Sequence, residues 1–378
     1  MIIERPALER RVLGSLDAGR IPVVLGGCGA GRTSLLLRLS RLAGPGRAQY
    51  LDFAAAATTP ERCLMAIRQA PHFRDRAASA SATAPSPRAA FDALLDLFDA
   101  TAAGDGGPLL LLIDDALEVR TFESFPGLRH VQREFTARLA DARTRFVLAS
   151  RFTARAHRLL RDAPARFEVV HVPPLDAAEV LAAAVRFDGE HPEWARQMAP
   201  AVTVLTSGRA GYVTLLLEAL AAMGEATDPV AAMAALFAPD GRLTARCRES
   251  YEFRLNRARG YGALKAILGV LAADEPLTLT EISHHLGRTP GSTKDYLSWL
   301  EDVDLVTVQG KRYTFEDPLL RLYVRLYGRA VPPTDDEIVS EVGTFAKLRL
   351  PAAAEAEAPA AVAREAQPDT ASGIIEID

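Results

Sequence analysis

The chain has 378 residues, with 44 Lys and Arg against 48 Asp and Glu, and it is 49% hydrophobic and 24% charged. That length exceeds one ordinary core and implies two or three domains, and the composition is that of a globular protein rather than a disordered one. No apolar run approaches the 18 or so residues of a membrane span, Met1–Arg5 lacks the layout of a secretory leader, and the scattered Cys28, Cys63 and Cys247 form no disulfide framework, so a cytoplasmic protein is expected.

In chain order, Leu8, Val12, Leu13 and Leu16 recur at helical spacing over 6–18. The apolar run Ile21–Leu25 then breaks into glycines and resumes as Thr33-Ser34-Leu35-Leu36-Leu37, which predicts strand, glycine loop, helix. A second strand is expected at 49–53, an Ala/Ser/Pro-rich mobile loop at 75–90, and three more strands at 109–114, 145–150 and 168–172. Five buried strands separated by helical patterns call for a parallel sheet covered on both faces. Residues 175–250 read as helical, with breaks at Gly208 and at Asp228-Pro229.

Residues 261–327 read as helix, short strand (Leu277-Thr278-Leu279), two helices and a hairpin, the order of a winged helix, with Thr289-Pro290 starting its third helix. Residues 351–378 hold six carboxylates against Arg364 alone and show no periodicity; they are expected to be disordered and end in the apolar-acidic Ile374–Asp378, a candidate docking peptide. The rest of the chain is near neutral, without the basic excess of a dedicated nucleic-acid binder. The expected division is 1–172 for the α/β nucleotide domain, 173–255 for a helical lid, 260–330 for the winged helix and 331–378 for a linker and acidic tail.

Gly26-Gly27-Cys28-Gly29-Ala30-Gly31-Arg32-Thr33 has the G-x-x-x-x-G-K-[ST] spacing of a phosphate loop, with Arg32 in the lysine position. Glycines let backbone N–H groups turn toward phosphate oxygens at a helix N-terminus. Residues Gly26 through Ser34 are therefore the expected cradle for ATP or GTP, with Arg32 neutralising phosphate and Thr33 offering a hydroxyl to Mg²⁺. Leu109–Asp115 is a buried strand ending in two carboxylates; Asp114 is the expected Mg²⁺ partner, and Asp115, or else Glu118, orients the attacking water. At the end of the 145–150 strand, Ser150 or Arg151 is placed to sense the γ-phosphate.

Two features are set aside: His284-His285 has no ligand-spaced companions, and Cys28 is read as a loop filler more readily than as a redox switch. The mixed stretch 120–129 is either an interaction loop or packing against the sheet. The segments Gly26–Ser34, Asp114-Asp115, Val147–Arg151 and Val172–Glu179 together resemble the STAND and archaeal-type ATPases, relatives of AAA+ proteins, over about residues 1–330. The resemblance implies an α/β nucleotide domain, a helical lid and a winged helix in that order, with Arg151 as a sensor arginine and Pro174-Leu175 through Glu179 opening the lid. The family's lid G-x-P is replaced by Ser207-Gly208-Arg209-Ala210-Gly211, so Arg209 is the substitute phosphate-facing charge. The expected function is an ATP-dependent conformational switch with slow hydrolysis, acting on a protein partner. The alternative is a DNA-binding regulator or loader; the third helix of the winged helix offers only Lys294 as an exposed cation, which disfavours DNA.

Overall fold

In a computed structural model of the chain, residues 3–73, 84–99, 107–187, 192–224, 228–255, 258 and 260–350 are described. The first part runs α1 (Pro6–Asp17), β1 (Ile21–Leu25), α2 (Arg32–Ala43), β2 (Ala48–Asp52), α3 (Phe53–Ala56), α4 (Pro60–Arg68), α5 (Pro87–Asp99), β3 (Leu110–Asp114), a 3-10 helix (Ala116–Ser124), α6 (Val131–Asp141), β4 (Arg145–Ser150), α7 (Thr153–Leu160) and β5 (Phe167–His171). Among the described residues five parallel strands pair in the order β2-β3-β4-β1-β5, which sets β4 between the strand before the glycine loop and the strand bearing Asp114.

Strand alternation divides the apolar residues between two faces. Ile21, Val23, Leu25, Leu111, Ile113, Phe146 and Leu148 face a core rich in phenylalanine (Phe53, Phe91, Phe98, Phe135). Val24, Leu110, Leu112, Val147 and Ala149 face α1 and α2 through Val12, Leu36 and Leu39. Within the 120–129 stretch, Phe122 and Leu128 are fully buried in the first of these cores and Phe122 meets Phe91 edge-on, while Arg120, Ser124, Pro126, Gly127 and Arg129 are exposed. The expected loop at 75–90 overran: α5 begins at Pro87, a residue suited to a first helical turn, while 74–83 lie outside the described residues.

The remaining elements are α8 (Ala177–Phe187), α9 (Pro192–Thr206), α10 (Ala210–Met223), α11 (Pro229–Leu236), α12 (Arg242–Leu255), α13 (Tyr261–Asp274), β6 (Leu277–Thr278), α14 (Leu279–His285), α15 (Pro290–Asp302), β7 (Val306–Gln309), β8 (Arg312–Phe315), α16 (Pro318–Tyr327) and α17 (Asp335–Lys347). α13 through β8 have the element order of a winged helix, with an antiparallel sheet ordered β6-β8-β7. Gly310 and Lys311 both take positive φ between β7 and β8, the turn that matches strand twist in a two-residue hairpin. The lid helices and the winged helix share one continuous apolar core that runs from Val180 through Leu216 and Leu268 to Leu326.

The reading of residues 331–350 as linker is corrected by α17. Thr334 and Glu337 form a reciprocal capping box at its start, and Ile338, Val342 and Ala346 are buried in the core shared by lid and winged helix. The acidic stretch 351–378, including Ile374–Asp378, lies outside the described residues.

Candidate functional site

The glycine loop connects β1 to α2 at the carboxyl edge of the sheet. Gly29 and Gly31 take φ of +75° and +94°, which side-chain-bearing residues rarely adopt, and Gly31 immediately precedes α2. The first-turn N–H groups and positive dipole end of that helix suit the loop to an anion. Arg32, 8% exposed, folds back over the loop, donating to the carbonyls of Gly26 and, at 3.3 Å, Gly27. Its Nε is buried without a partner, the kind of orphaned donor that an anionic ligand satisfies. Burial pulls the Arg32 guanidinium below its usual range, and the charges of Asp115 and Asp114 oppose that shift.

Thr33 Oγ1 donates to Asp114 Oδ2 at 2.5 Å, so the first turn of α2 and the end of β3 are already joined by oxygens of the type Mg²⁺ takes. Tyr50 Oη donates to the same Oδ2 at 3.1 Å, and the Asp115 N–H donates to Oδ1 at 3.0 Å. Asp114 and Asp115 are 3% and 5% exposed, and Asp115 takes the left-handed conformation at φ 48°. That conformation is costly for a residue with a side chain and clusters at functional sites.

Arg151 follows β4 and meets Asp115 with both ends of its fork. Its Nε lies 3.0 Å from Oδ1 and 3.2 Å from Oδ2, and Nη2 also donates to Oδ2. Burial opposes the charge on Arg151, yet the bonds and charge of Asp115 raise its pKa above the ordinary arginine value. The guanidinium also lies 4.2 Å from the centre of the Phe253 ring on α12. Arg32 Nη2 approaches Asp115 Oδ1 at 3.7 Å, so one carboxylate stands between two arginines. Of the two residues expected at this strand end, Ser150 turns inward and accepts the N–H of Phe152 at 3.1 Å, which leaves Arg151 facing the cradle.

The lid rests directly on the loop. Gly211 N–H at the start of α10 donates to Gly29 O at 2.7 Å, and a Cβ on Gly211 would lie 3.1 Å from the Gly29 Cα, so only glycine permits this approach without displacement. Arg209 reaches Cys28 O at 3.4 Å with Nη1 and Glu316 O at 2.8 Å with Nη2, and its Nε lies 3.8 Å from Asp317 Oδ1. Burial works against the Arg209 charge, but Asp317, Tyr212 and Glu316 raise its pKa on balance. Tyr212 Oη, fully buried, donates to Asp317 Oδ2 at 2.7 Å, and Asp317 caps α16 through Leu319 N–H at 3.0 Å. At the outer edge, Arg5 Nε pairs with Glu179 Oε1 at 3.0 Å and Arg5 Nη1 bonds Pro173 O at 2.6 Å, fastening the N-terminal segment to the start of the lid. A cavity of about 130 Å³ beside the loop is lined by Gly29 to Leu35 with Arg5, Glu9, Arg38, Ala210, Thr214 and Arg246.

The sequence-predicted residues Gly26 to Ser34, Asp114, Asp115, Arg151 and Arg209 thus converge on one sheet edge. Sequence reading missed Tyr50, Phe253, Tyr212 and Asp317. Asp317-Pro318 alone carried a local signal, an N-cap residue followed by a first-turn proline. His284 and His285 are exposed at the end of α14, and among the described residues no cluster of three or more His, Cys, Asp or Glu side chains is placed to hold a metal ion.

Among solved structures, a Walker-type ATPase of Pyrococcus abyssi is similar at 17% identity, with a TM-score of 0.64, over 86% of this chain and 96% of that one. A STAND protein with a tetratricopeptide repeat sensor from Pyrococcus horikoshii matches at 18% identity and TM-score 0.36 over 90% of this chain, which spans 45% of its length. The Orc1 protein of Aeropyrum pernix, solved in complex with DNA, matches at 15% identity and TM-score 0.43 over 92% of this chain and 95% of that one. No family model and no curated protein sequence matches. Over most of its length the chain has the fold of that Walker-type ATPase.

Proposed function

We propose that the protein binds Mg·ATP in the Gly26–Ser34 cradle and acts as a nucleotide-dependent conformational switch with slow hydrolysis. The observation that carries this reading is Arg209, which spans the phosphate loop and the winged helix: Cys28 O on one side, Glu316 O and Asp317 on the other. A phosphate drawing Arg209 toward the loop would compete with Asp317, whose other oxygen holds Tyr212 on the lid. Loop occupancy and winged-helix position are then coupled through one side chain.

Arg32, Arg209 and the loop N–H groups would hold phosphate, with Arg151 as the sensor. Thr33 and Asp114 would hold Mg²⁺, which supplies charge neutralisation at the phosphates. Slow chemistry follows from the surroundings of Asp115. Both its oxygens are engaged by Arg151, so a water must compete with that pair to be oriented. Its side chain is also one methylene shorter than glutamate, and misplacement of about 1 Å costs roughly 10²-fold in rate. Arg32 is planar and larger than the lysine usual at its position, holding phosphate by forked bonds rather than as a mobile point charge.

Two measurements test the reading. Mg·ATP or Mg·GTP should raise the melting temperature of the wild type, and Thr33→Ala or Asp114→Asn should weaken that response. Single-turnover hydrolysis should run below about 1 s⁻¹, the low end of ordinary enzymes, and accelerate in Arg32→Lys, Asp115→Glu or the double variant. No thermal response removes the nucleotide reading; turnover of about 1 s⁻¹ or faster with no gain in any variant removes the slow switch.

The exposed positions of α15 (Ser292, Asp295, Ser298) with Lys294 as its cation favour a protein partner over DNA for the winged helix.

A further inference from the structure

Tyr50 sits on β2, one strand away from Asp114. Its register partner on β3 is Leu112, so Asp114 is the diagonal neighbour two residues on, a distance that a long aromatic side chain spans. The ring packs against the core beneath α1 and α2, and the hydroxyl extends to the strand end. There it donates to Asp114 Oδ2 at 3.1 Å, the oxygen that also accepts from Thr33 at 2.5 Å, while Oδ1 accepts the Asp115 N–H at 3.0 Å.

A carboxylate offers about four lone-pair sites. Both sites on Oδ2 are taken by hydroxyls and one on Oδ1 by a backbone amide, so a single acceptor position remains, on Oδ1. At 3% exposure, Asp114 has little water to compensate for a lost donor or to let it swing. Without Tyr50, Oδ2 would keep only Thr33, which moves with the phosphate loop rather than with the sheet. Tyr50 is anchored in the sheet itself.

We propose that Tyr50 is a positioning residue of the Mg²⁺ site, fixing the Asp114 carboxylate so that Oδ1 is the face offered to the metal. This rests on the Mg·ATP reading above and assigns that site a residue which no sequence motif marks. Partners that orient a metal-holding carboxylate are typically worth 10- to 100-fold in metal affinity.

The test is the dissociation constant for ATP, measured by calorimetry across a series of free Mg²⁺ concentrations and again in EDTA, for wild type and Tyr50→Phe. The variant removes one oxygen and keeps the packed ring. The expected result is an unchanged affinity in EDTA and a Mg²⁺ midpoint raised by about tenfold or more. An unmoved midpoint, or an equal loss of affinity with and without Mg²⁺, overturns the assignment while leaving the nucleotide reading intact. Wild-type affinity that ignores Mg²⁺ overturns the metal site and the assignment together.

Discussion

Asp115→Asn should destabilise the free protein and tighten its grip on ATP. In the structure Asp115 is 5% exposed and bonds Arg151 through both oxygens, with Arg32 at 3.7 Å. The substitution keeps the shape but leaves two largely buried guanidinium groups facing an uncharged amide. Removing one partner of a buried ion pair costs about 3–5 kcal/mol, because the remaining charge stays desolvated. The lower end applies here, since the Arg151 side chain retains 19% exposure and the amide oxygen can still accept one bond. For a cooperative unit of 150–250 residues, 1 kcal/mol moves the melting temperature by about 2–4 °C, so a loss of about 3 kcal/mol lowers it by roughly 6–12 °C.

Phosphate would supply the anion that the variant lacks. Returning even 1.4 kcal/mol of the lost stability on binding makes the dissociation constant for ATP tenfold smaller. The assay pairs thermal melts with and without Mg·ATP and direct titration of both proteins. The expected pattern is a lower melting temperature without ATP, a larger ATP-induced rise than in the wild type, and a dissociation constant at least tenfold smaller. An Asp115→Asn protein that melts like the wild type and binds ATP no more tightly would refute the argument that this pair is opened by nucleotide.

Asp304, at positive φ in the turn before β7, accepts the N–H groups of Thr153 and, at 3.2 Å, Ala154, so the winged-helix body caps α7 directly after the Arg151 strand end. Asp304→Ala should cost about 1 kcal/mol, the worth of an ordinary N-cap, read by urea unfolding. Burial raises the Asp304 pKa above its usual 3.8 against the pull of those two N–H donors. The folded state therefore holds that proton more tightly, and this group's contribution to stability falls as pH rises from about 3.8 through the raised value. Asp304→Asn should flatten that part of the melting profile; an unchanged slope would show the group titrates normally. Truncation after residue 350 should leave melting and ATP binding unchanged. Truncation after 330 removes buried Ile338 and Val342, worth about 1.5–3 kcal/mol each, and should lower the melting temperature clearly; equal melting of both truncations would show that α17 adds nothing to the core.

The α/β domain was legible because its signals are local. Ile21–Leu25 running into glycines, and Leu110–Asp114 ending in carboxylates, state strand, loop and charge within a few residues, and buried parallel strands leave nearly continuous apolar runs. The helix over 335–347 was equally local, with a Thr334–Glu337 capping box and Ile338–Val342 at helical spacing, but acidic composition around it hid the pattern. What the sequence determined by itself is therefore the phosphate loop, the carboxylate at the strand end and the order of the domains. Only tertiary structure decided the partners. Arg151 and Asp115 lie 36 residues apart, Thr33 and Asp114 81, Tyr212 and Asp317 105, and Thr153 and Asp304 151. Chain connectivity carries no signal at those separations, because each pairing depends on strand order and on how lid and winged helix settle against one sheet edge. Burial then selects among the charges brought there, since a buried arginine or carboxylate persists only with a partner.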